Sequence, residues 1–149
     1  MELTIGNDLA DVAILRDAVD RFAEEHGIAP KPLIALQVSL DELISNIIKY
    51  AWPDGGTHQL QIRLRIDSAV IEAEISDDGQ PYDPRNSPPP PAVPAGTRPR
   101  PGGVGVHMVK QLADRLEYER VGDRNRLKLT IRRASDTRAQ SESPDDRRT

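Results

Sequence analysis

Over the first fifty residues the apolar positions recur every three or four places. Leu9, Val12, Leu15, Val19 and Phe22 form one stripe with charged residues between them, the period of a helix that buries one face. The spacing predicts a helix over 8–26, with Asp8 as its N-cap and Gly27 as its stop. Pro30 and Pro32 punctuate a second start, and Leu33, Leu36, Leu40, Leu43, Ile44, Ile47 and Ile48 extend a longer helix to about Tyr50. Trp52-Pro53-Asp54-Gly55-Gly56 then turns the chain.

Beyond residue 59 the period changes to two. Leu60, Ile62, Leu64 and Ile66 alternate with polar residues, and so do Ala69, Ile71, Ala73 and Ile75. With Asp67-Ser68 between them, the two runs predict an antiparallel hairpin with one buried face. Asp77-Asp78-Gly79 closes it. A third helix opens at Gly102-Gly103-Val104-Gly105, with Val106, Val109, Leu112 and Ala113 on one face. Strands are predicted over 116–121 and 126–131, joined through Gly122-Asp123, and a short one over 2–5. The order implies an α+β fold: a two-layer sandwich of a mixed, mostly antiparallel sheet with helices on one face.

Composition divides the chain. Nine of the 13 prolines fall in 80–101, a stretch of Ser, Pro, Gly and Arg that cannot build a core and is too long for an idle connection. It is predicted to be a lid within a single domain over 1–133. The segment 134–149 has no large apolar residue and is predicted to be a disordered tail. The net charge of −4 gives no basic excess for coating nucleic acid. Arg63, Arg65, Arg120, Arg124, Arg126, Lys128, Arg132 and Arg133 form a local basic patch or, as is more usual on strands, a solvated face. Cysteine is absent, which excludes disulfides, thiolate metal sites and Cys nucleophiles. No apolar run approaches the roughly 18 residues of a membrane span, and the first residues have no leader character. A cytoplasmic protein without nucleic-acid or membrane partners is the expectation.

Three constellations carry candidate chemistry. Glu42 and Asn46 are four apart on the second helix and share a face at the edge of its apolar stripe. A carboxylate and a carboxamide there can serve as a base and as an oxygen ligand for Mg²⁺, or can belong to a solvated face. Asp77-Asp78-Gly79 ends a strand, where an Asp projects over the sheet into a pocket or simply makes a turn. Glycines running into a helix at 102–105 leave backbone N–H groups and a dipole that attract phosphate, or serve as a hinge. Met108 stands where a dinucleotide GxGxxG needs its third glycine, and no Gly-Lys-Ser/Thr is present, so neither familiar phosphate loop applies.

Taken together, the order of these segments resembles the GHKL (Bergerat-fold) ATP-binding superfamily. Leu40-Asp41-Glu42-Leu43-Ile44-Ser45-Asn46, the loop Asp77-Asp78-Gly79-Gln80-Pro81-Tyr82-Asp83-Pro84, the segment Gly102-Gly103-Val104-Gly105-Val106-His107-Met108-Val109 and the final strand Asn125-Arg126-Leu127 are similar to one branch. That branch is the bacterial anti-sigma-factor serine/threonine kinases. Pro81 stands where many GHKL proteins have Gly, and the branch accepts it.

The resemblance implies a function and a role for each residue. The protein would be an ATP- and Mg²⁺-dependent serine/threonine kinase and anti-sigma factor. It would phosphorylate a STAS-type anti-anti-sigma partner, bind a sigma factor and form a homodimer. Glu42 would be the general base, Asn46 the Mg²⁺ ligand, and Asp77 the acceptor for the adenine amino group with Gly79 giving the base room. Gly103, Val104 and Gly105 would hold the phosphates, and Thr130 would support the adenine end. Apart from the resemblance, His107 and Lys110, one turn inside the third helix, could touch phosphate or, as is more usual, be a satisfied helix His and a surface charge; Arg98 and Arg100 are the cations of the lid. The alternative is a non-catalytic ATP/ADP-binding module that sequesters a regulatory partner.

Overall fold

The computed structural model describes residues 1–86 and 105–133. Five strands, β1 (Glu2–Gly6), β2 (Gln59–Ile66), β3 (Val70–Asp77), β4 (Arg115–Val121) and β5 (Arg124–Arg132), form one sheet in the order β1-β2-β3-β5-β4. Every pairing is antiparallel. Three helices, α1 (Val12–His26), α2 (Pro30–Tyr50) and α3 (Gly105–Leu112), cover one face, so the α+β sandwich expected from the periods is what the chain builds. Most of the expected lid and all of the expected tail, at 87–104 and 134–149, lie outside the described residues.

The first helix begins later than its periodicity suggests. Asp8 caps a 3₁₀ turn, Leu9–Asp11, its Oδ1 accepting from Ala10 N at 3.0 Å, and α1 starts at Val12. A 3₁₀ turn at a helix entrance is common where the chain must leave a strand abruptly. Gly27 ends α1 in the left-handed conformation (φ 60°), as expected of a C-terminal glycine. Pro30 opens α2 at a position where its missing N–H costs nothing.

The core lies between α2 and the sheet. Leu36, Leu40, Leu43, Ile44 and Ile47 of α2 are buried against Leu60, Ile62, Leu64, Ile71, Ile75, Leu127 and Leu129. Each such side chain contributes about 1.5–3 kcal/mol through burial. The β2–β3 hairpin pairs Ile66 with Ile71, so its tip includes Ala69, which is exposed in the turn and not inward-facing as the alternation suggests. No residue there has positive φ. The turn is held by the Asp67 side chain, whose Oδ1 accepts from Ala69 N (2.7 Å) and Val70 N (2.8 Å).

The open face of the sheet settles the basic residues. One cross-strand row reads Glu2, Arg63, Glu74, Lys128, Glu117, alternating in sign across all five strands. Arg63 pairs with Glu2 (2.9 Å) and Arg126 with Glu119 (3.0 Å). Opposite charges on neighbouring strands neutralise each other, so this face is a solvated charge lattice and not a basic patch.

Candidate functional site

Strand parity builds the first half of the site. On β3 the inward-facing positions are Ile71, Ala73, Ile75 and then Asp77. On β5 they are Ile131, Leu129, Leu127 and then Asn125. The two polar residues end two apolar series and face each other in register. Asp77 and Asn125 are only 2% and 4% exposed, and Asn125 Nδ2 donates to Asp77 Oδ1 at 2.9 Å. Gly79 N donates to the same oxygen at 2.9 Å. Both bonds fall on Oδ1, so Oδ2 is the oxygen left to meet a ligand. Burial pushes the Asp77 carboxyl above the usual carboxylate range; the hydrogen bonds from Asn125 and Gly79 pull it back, the charge of Asp78 adds to the rise, and Arg124 opposes it.

The two adjacent aspartates have divided tasks. Asp77 points inward, whereas exposed Asp78 accepts from Trp52 Nε1 at 3.1 Å. Trp52 stacks flat on His58, with ring centroids 4.7 Å apart. The Asp77-Asp78-Gly79-Gln80 loop is thereby fastened to the C-terminal end of α2. Gln80 N donates to Ala51 O (2.8 Å) and Gln80 Nε2 to Tyr50 O (2.7 Å). Gly79 is required by this approach, since a Cβ there would stand 2.5 Å from the Ala51 Cβ and 2.6 Å from its carbonyl oxygen. Because neither the Ala51 Cβ nor its carbonyl oxygen can swing aside, Gly79→Ala is expected to destabilise the protein by about 1–3 kcal/mol in a denaturant melt.

The second half of the site is at the other end of this helix segment. Glu42 and Asn46 project from one face of α2. Asn46 is 2% exposed and its Nδ2 has no hydrogen-bond partner, unusual for a buried amide. The Glu42 carboxylate lies against Gly105, the first residue of α3, in the space that a Cβ on Gly105 would fill. The helix N-terminus, with its free N–H groups and dipole, favours an anion at this place. Gly105→Ala is expected to keep the melting temperature within a few degrees, because the obstructing group is the end of a flexible side chain. On the expectation that Glu42 is the base, phosphoryl transfer should fall about tenfold or more as its carboxylate is displaced.

Of the other expected site residues, Gly103 and Val104 lie outside the described residues, as do Arg98 and Arg100. His107 is exposed on α3. Lys110 Nζ donates to Arg85 O at 2.5 Å, tying α3 to the 3₁₀ turn Pro84–Asn86. Arg85 also pairs with Asp83 at 2.8 Å. Burial alone would raise the Asp83 carboxyl, but the Arg85 bonds outweigh it and hold it below the usual range.

Thr130 requires a correction. It stands opposite Glu72 and Arg115, five residues from Asn125 along β5, or about 16 Å at strand rise. Being an odd number of residues away, it also belongs to the solvent-facing side of the sheet. What surrounds Asp77 instead is Asn125, Tyr118 and Arg120: Tyr118 Oη donates to Asn125 Oδ1 (2.5 Å) and Arg120 Nη1 to Gly79 O (2.7 Å). The signal for Asn125 is the apolar alternation of β5, which ends on a polar residue just as that of β3 ends on Asp77.

A nucleotide-sized span separates the two halves. From Glu42 to Ala51 is nine residues of helix, about 13 Å at 1.5 Å per residue. The family model of the histidine kinase-like ATPase domain matches residues 5–131. The chain belongs to this family. It is 28% identical over 102 residues to the serine/threonine-protein kinase BtrW of Bordetella bronchiseptica, spanning 68% of this chain and 72% of that protein. The structure of the RsbU and RsbW domains of Rv1364c from Mycobacterium tuberculosis is similar with a TM-score of 0.60 at 13% identity. That match covers 89% of this chain and 32% of the other, so the chain spans about a third of that longer protein. The histidine kinase domain of a blue-light activated kinase from Erythrobacter litoralis gives 0.51 at 14% identity, covering 84% of this chain and 60% of that one. These two likenesses are of fold. The GHKL resemblance of the motifs is thus borne out. Among the described residues no helix is long and apolar enough to cross a membrane.

Proposed function

We propose that this protein is an ATP-dependent serine/threonine protein kinase and anti-sigma factor acting on a STAS-type anti-anti-sigma partner. The observation that carries the reading is the arrangement along α2. Glu42 and Asn46 meet the start of α3 at one end, and a buried carboxylate with one free oxygen sits past the other. The intervening span is on the scale of a nucleoside triphosphate from base to γ-phosphate. The kinase relative and the family membership support the same assignment.

On this reading Asp77 Oδ2 accepts from the adenine amino group, and Gly79 lets the base approach the Ala51 end of α2. Gly103, Val104 and Gly105, with the first N–H groups of α3, hold the phosphates. Glu42 accepts the proton of the incoming Ser or Thr hydroxyl as its oxygen bonds to the γ-phosphorus. The bond from that phosphorus to the β,γ-bridging oxygen breaks, and ADP leaves with the electron pair. Asn46 is the residue that would hold Mg²⁺, through its carboxamide oxygen; its buried Nδ2, which has no partner in the fold, is a donor and would serve a phosphate or water oxygen. Mg²⁺ held by one carboxamide oxygen, phosphate oxygens and water would neutralise the charge on the phosphates. Asn46 orients that oxygen, and the apolar residues beside it limit water.

A STAS-domain partner, radiolabelled ATP and Mg²⁺ test the proposal. The expected result is acid-stable label of the Ser/Thr type on the partner, absent when Glu42 is replaced. Nucleotide binding without transfer to any candidate partner would overturn the kinase reading in favour of a nucleotide-holding, partner-sequestering module.

A further inference from the structure

We propose that Asn125 selects the purine at this site, by holding Asp77 as a hydrogen-bond acceptor toward the base; the proposal rests on the reading of this pocket as an adenine site. Asn125 is a positioning residue that acts through Asp77.

The Asn125 carboxamide is oriented on both sides. Its Oδ1 faces donors: Tyr118 Oη at 2.5 Å, Arg120 Nη1 at 3.2 Å and Tyr82 N at 3.4 Å. Its Nδ2 faces acceptors: Asp77 Oδ1 at 2.9 Å and Gln80 O at 2.8 Å, with Gly79 O more distant at 3.5 Å. A flipped amide would set nitrogen against donors and oxygen against the carboxylate, so the N–H aimed at Asp77 is fixed by the strand behind it. Asp77 is buried, and a carboxyl in such a place tends to keep its proton. A protonated Asp77 with its hydroxyl toward the base would offer a donor, which suits the 6-oxo group of guanine or hypoxanthine. The charge-assisted bond from Asn125 favours the ionised form and occupies Oδ1, so Oδ2 accepts. An acceptor there suits the 6-amino group of adenine and repels a 6-oxo group. The charged and titratable groups around the pair are Asp78 in the loop, Arg124 beside Asn125 on β5, Arg120 and Tyr118 on β4, and His58 behind Asp78 (4.0 Å).

Isothermal titration of ATP and ITP into the full chain tests this; ITP carries the 6-oxo group without the 2-amino group of guanine. Wild type should prefer ATP, with a ratio flat across neutral pH. In Asn125→Asp the donor to Asp77 is lost and the two neighbouring carboxyls share a proton. The ATP-to-ITP ratio should then fall about tenfold or more at neutral pH and recover as the pH rises. A merely structural role would weaken both nucleotides together, without that pH dependence. Tyr118→Phe removes one of the donors orienting the amide and should shift the ratio severalfold in the same direction.

A folded Asn125→Asp protein with the wild-type ratio at every pH overturns the proposal. If thermal melting shows that variant to be unfolded, an unchanged ratio in Tyr118→Phe overturns it. Wild type that binds neither nucleotide, or both equally, overturns the adenine reading itself. A preference for ATP lost in Asp77→Asn but kept in Asn125→Asp overturns only the role of Asn125.

Discussion

Replacing Glu42 with glutamine is expected to slow phosphoryl transfer by about a hundredfold to ten-thousandfold while leaving ATP affinity within about a factor of three. The substitution keeps the volume and the contact with Gly105 but removes the basicity. General-base assistance operates in the transition state, so its loss should reduce kcat and leave KM for ATP nearly unchanged. The carboxylate also lies at the start of α3, where the phosphates are proposed to bind. Neutralising it removes a like charge from that place, and ATP is therefore expected to bind the variant slightly more tightly. Single-turnover transfer to a STAS-domain partner, alongside calorimetric titration of ATP, separates the two effects. A variant that transfers phosphate at the full rate would end the assignment of Glu42 as base.

Asp77→Asn should have an equally large effect on binding, with the opposite sign for stability. Asn125 Nδ2 and Gly79 N both donate to the Oδ1 position, so the new carboxamide must keep its oxygen there. Its NH₂ then occupies the place of Oδ2 and meets the adenine amino group, donor against donor. ATP affinity is expected to fall about a hundredfold or more, and preference to move toward a 6-oxo purine. Stability moves the other way. Because the Asp77 carboxyl is raised in the fold, its favourable contribution is full below the unfolded carboxylate value and is lost as the pH climbs through the raised one. The neutral carboxamide has no such loss. Ligand-free Asp77→Asn should therefore melt at or above the wild-type temperature at neutral pH, and its advantage should shrink on acidification into the carboxylate range. Thermal melts at several pH values, with and without ATP, report both signs.

That expected pair of effects is the reason we give for burying a carboxylate here at all. A group that is costly to the empty protein and useful to the bound one is a mark of a site selected for binding. The same logic covers Asn46, whose amide nitrogen is buried without a partner, and Gly79, whose missing side chain allows a loop to press on the end of α2.

The sequence by itself determined the elements and the family. The shift from a period near 3.6 to a period of two places three helices and five strands. Burying one face of each element drives folding more than any other effect, and it leaves a direct trace in the order of apolar residues. The segments around Glu42, Asp77 and Gly105 were legible as well, since each needs a particular residue type at a particular end of an element. Exact starts were less legible. The 3₁₀ turn before α1 and the placement of Ala69 in the hairpin tip depend on local hydrogen bonds to Asp8 and Asp67, which compete with the helix or strand pattern only in the folded chain.

Only the tertiary structure decided which distant residues meet. Register paired Asp77 with Asn125 and carried Thr130 to the far end and the opposite face of the sheet, a matter of parity across strands that no single segment reveals. It set acids against the basic residues of the open face, deciding for the solvated face, the more usual of the two readings that the succession of arginines allowed. It also brought Glu42 onto Gly105, sixty-three residues away in sequence. Burial is written in the local pattern because each segment must cover its own apolar face; contact between segments is not, because it depends on the alignment of whole elements.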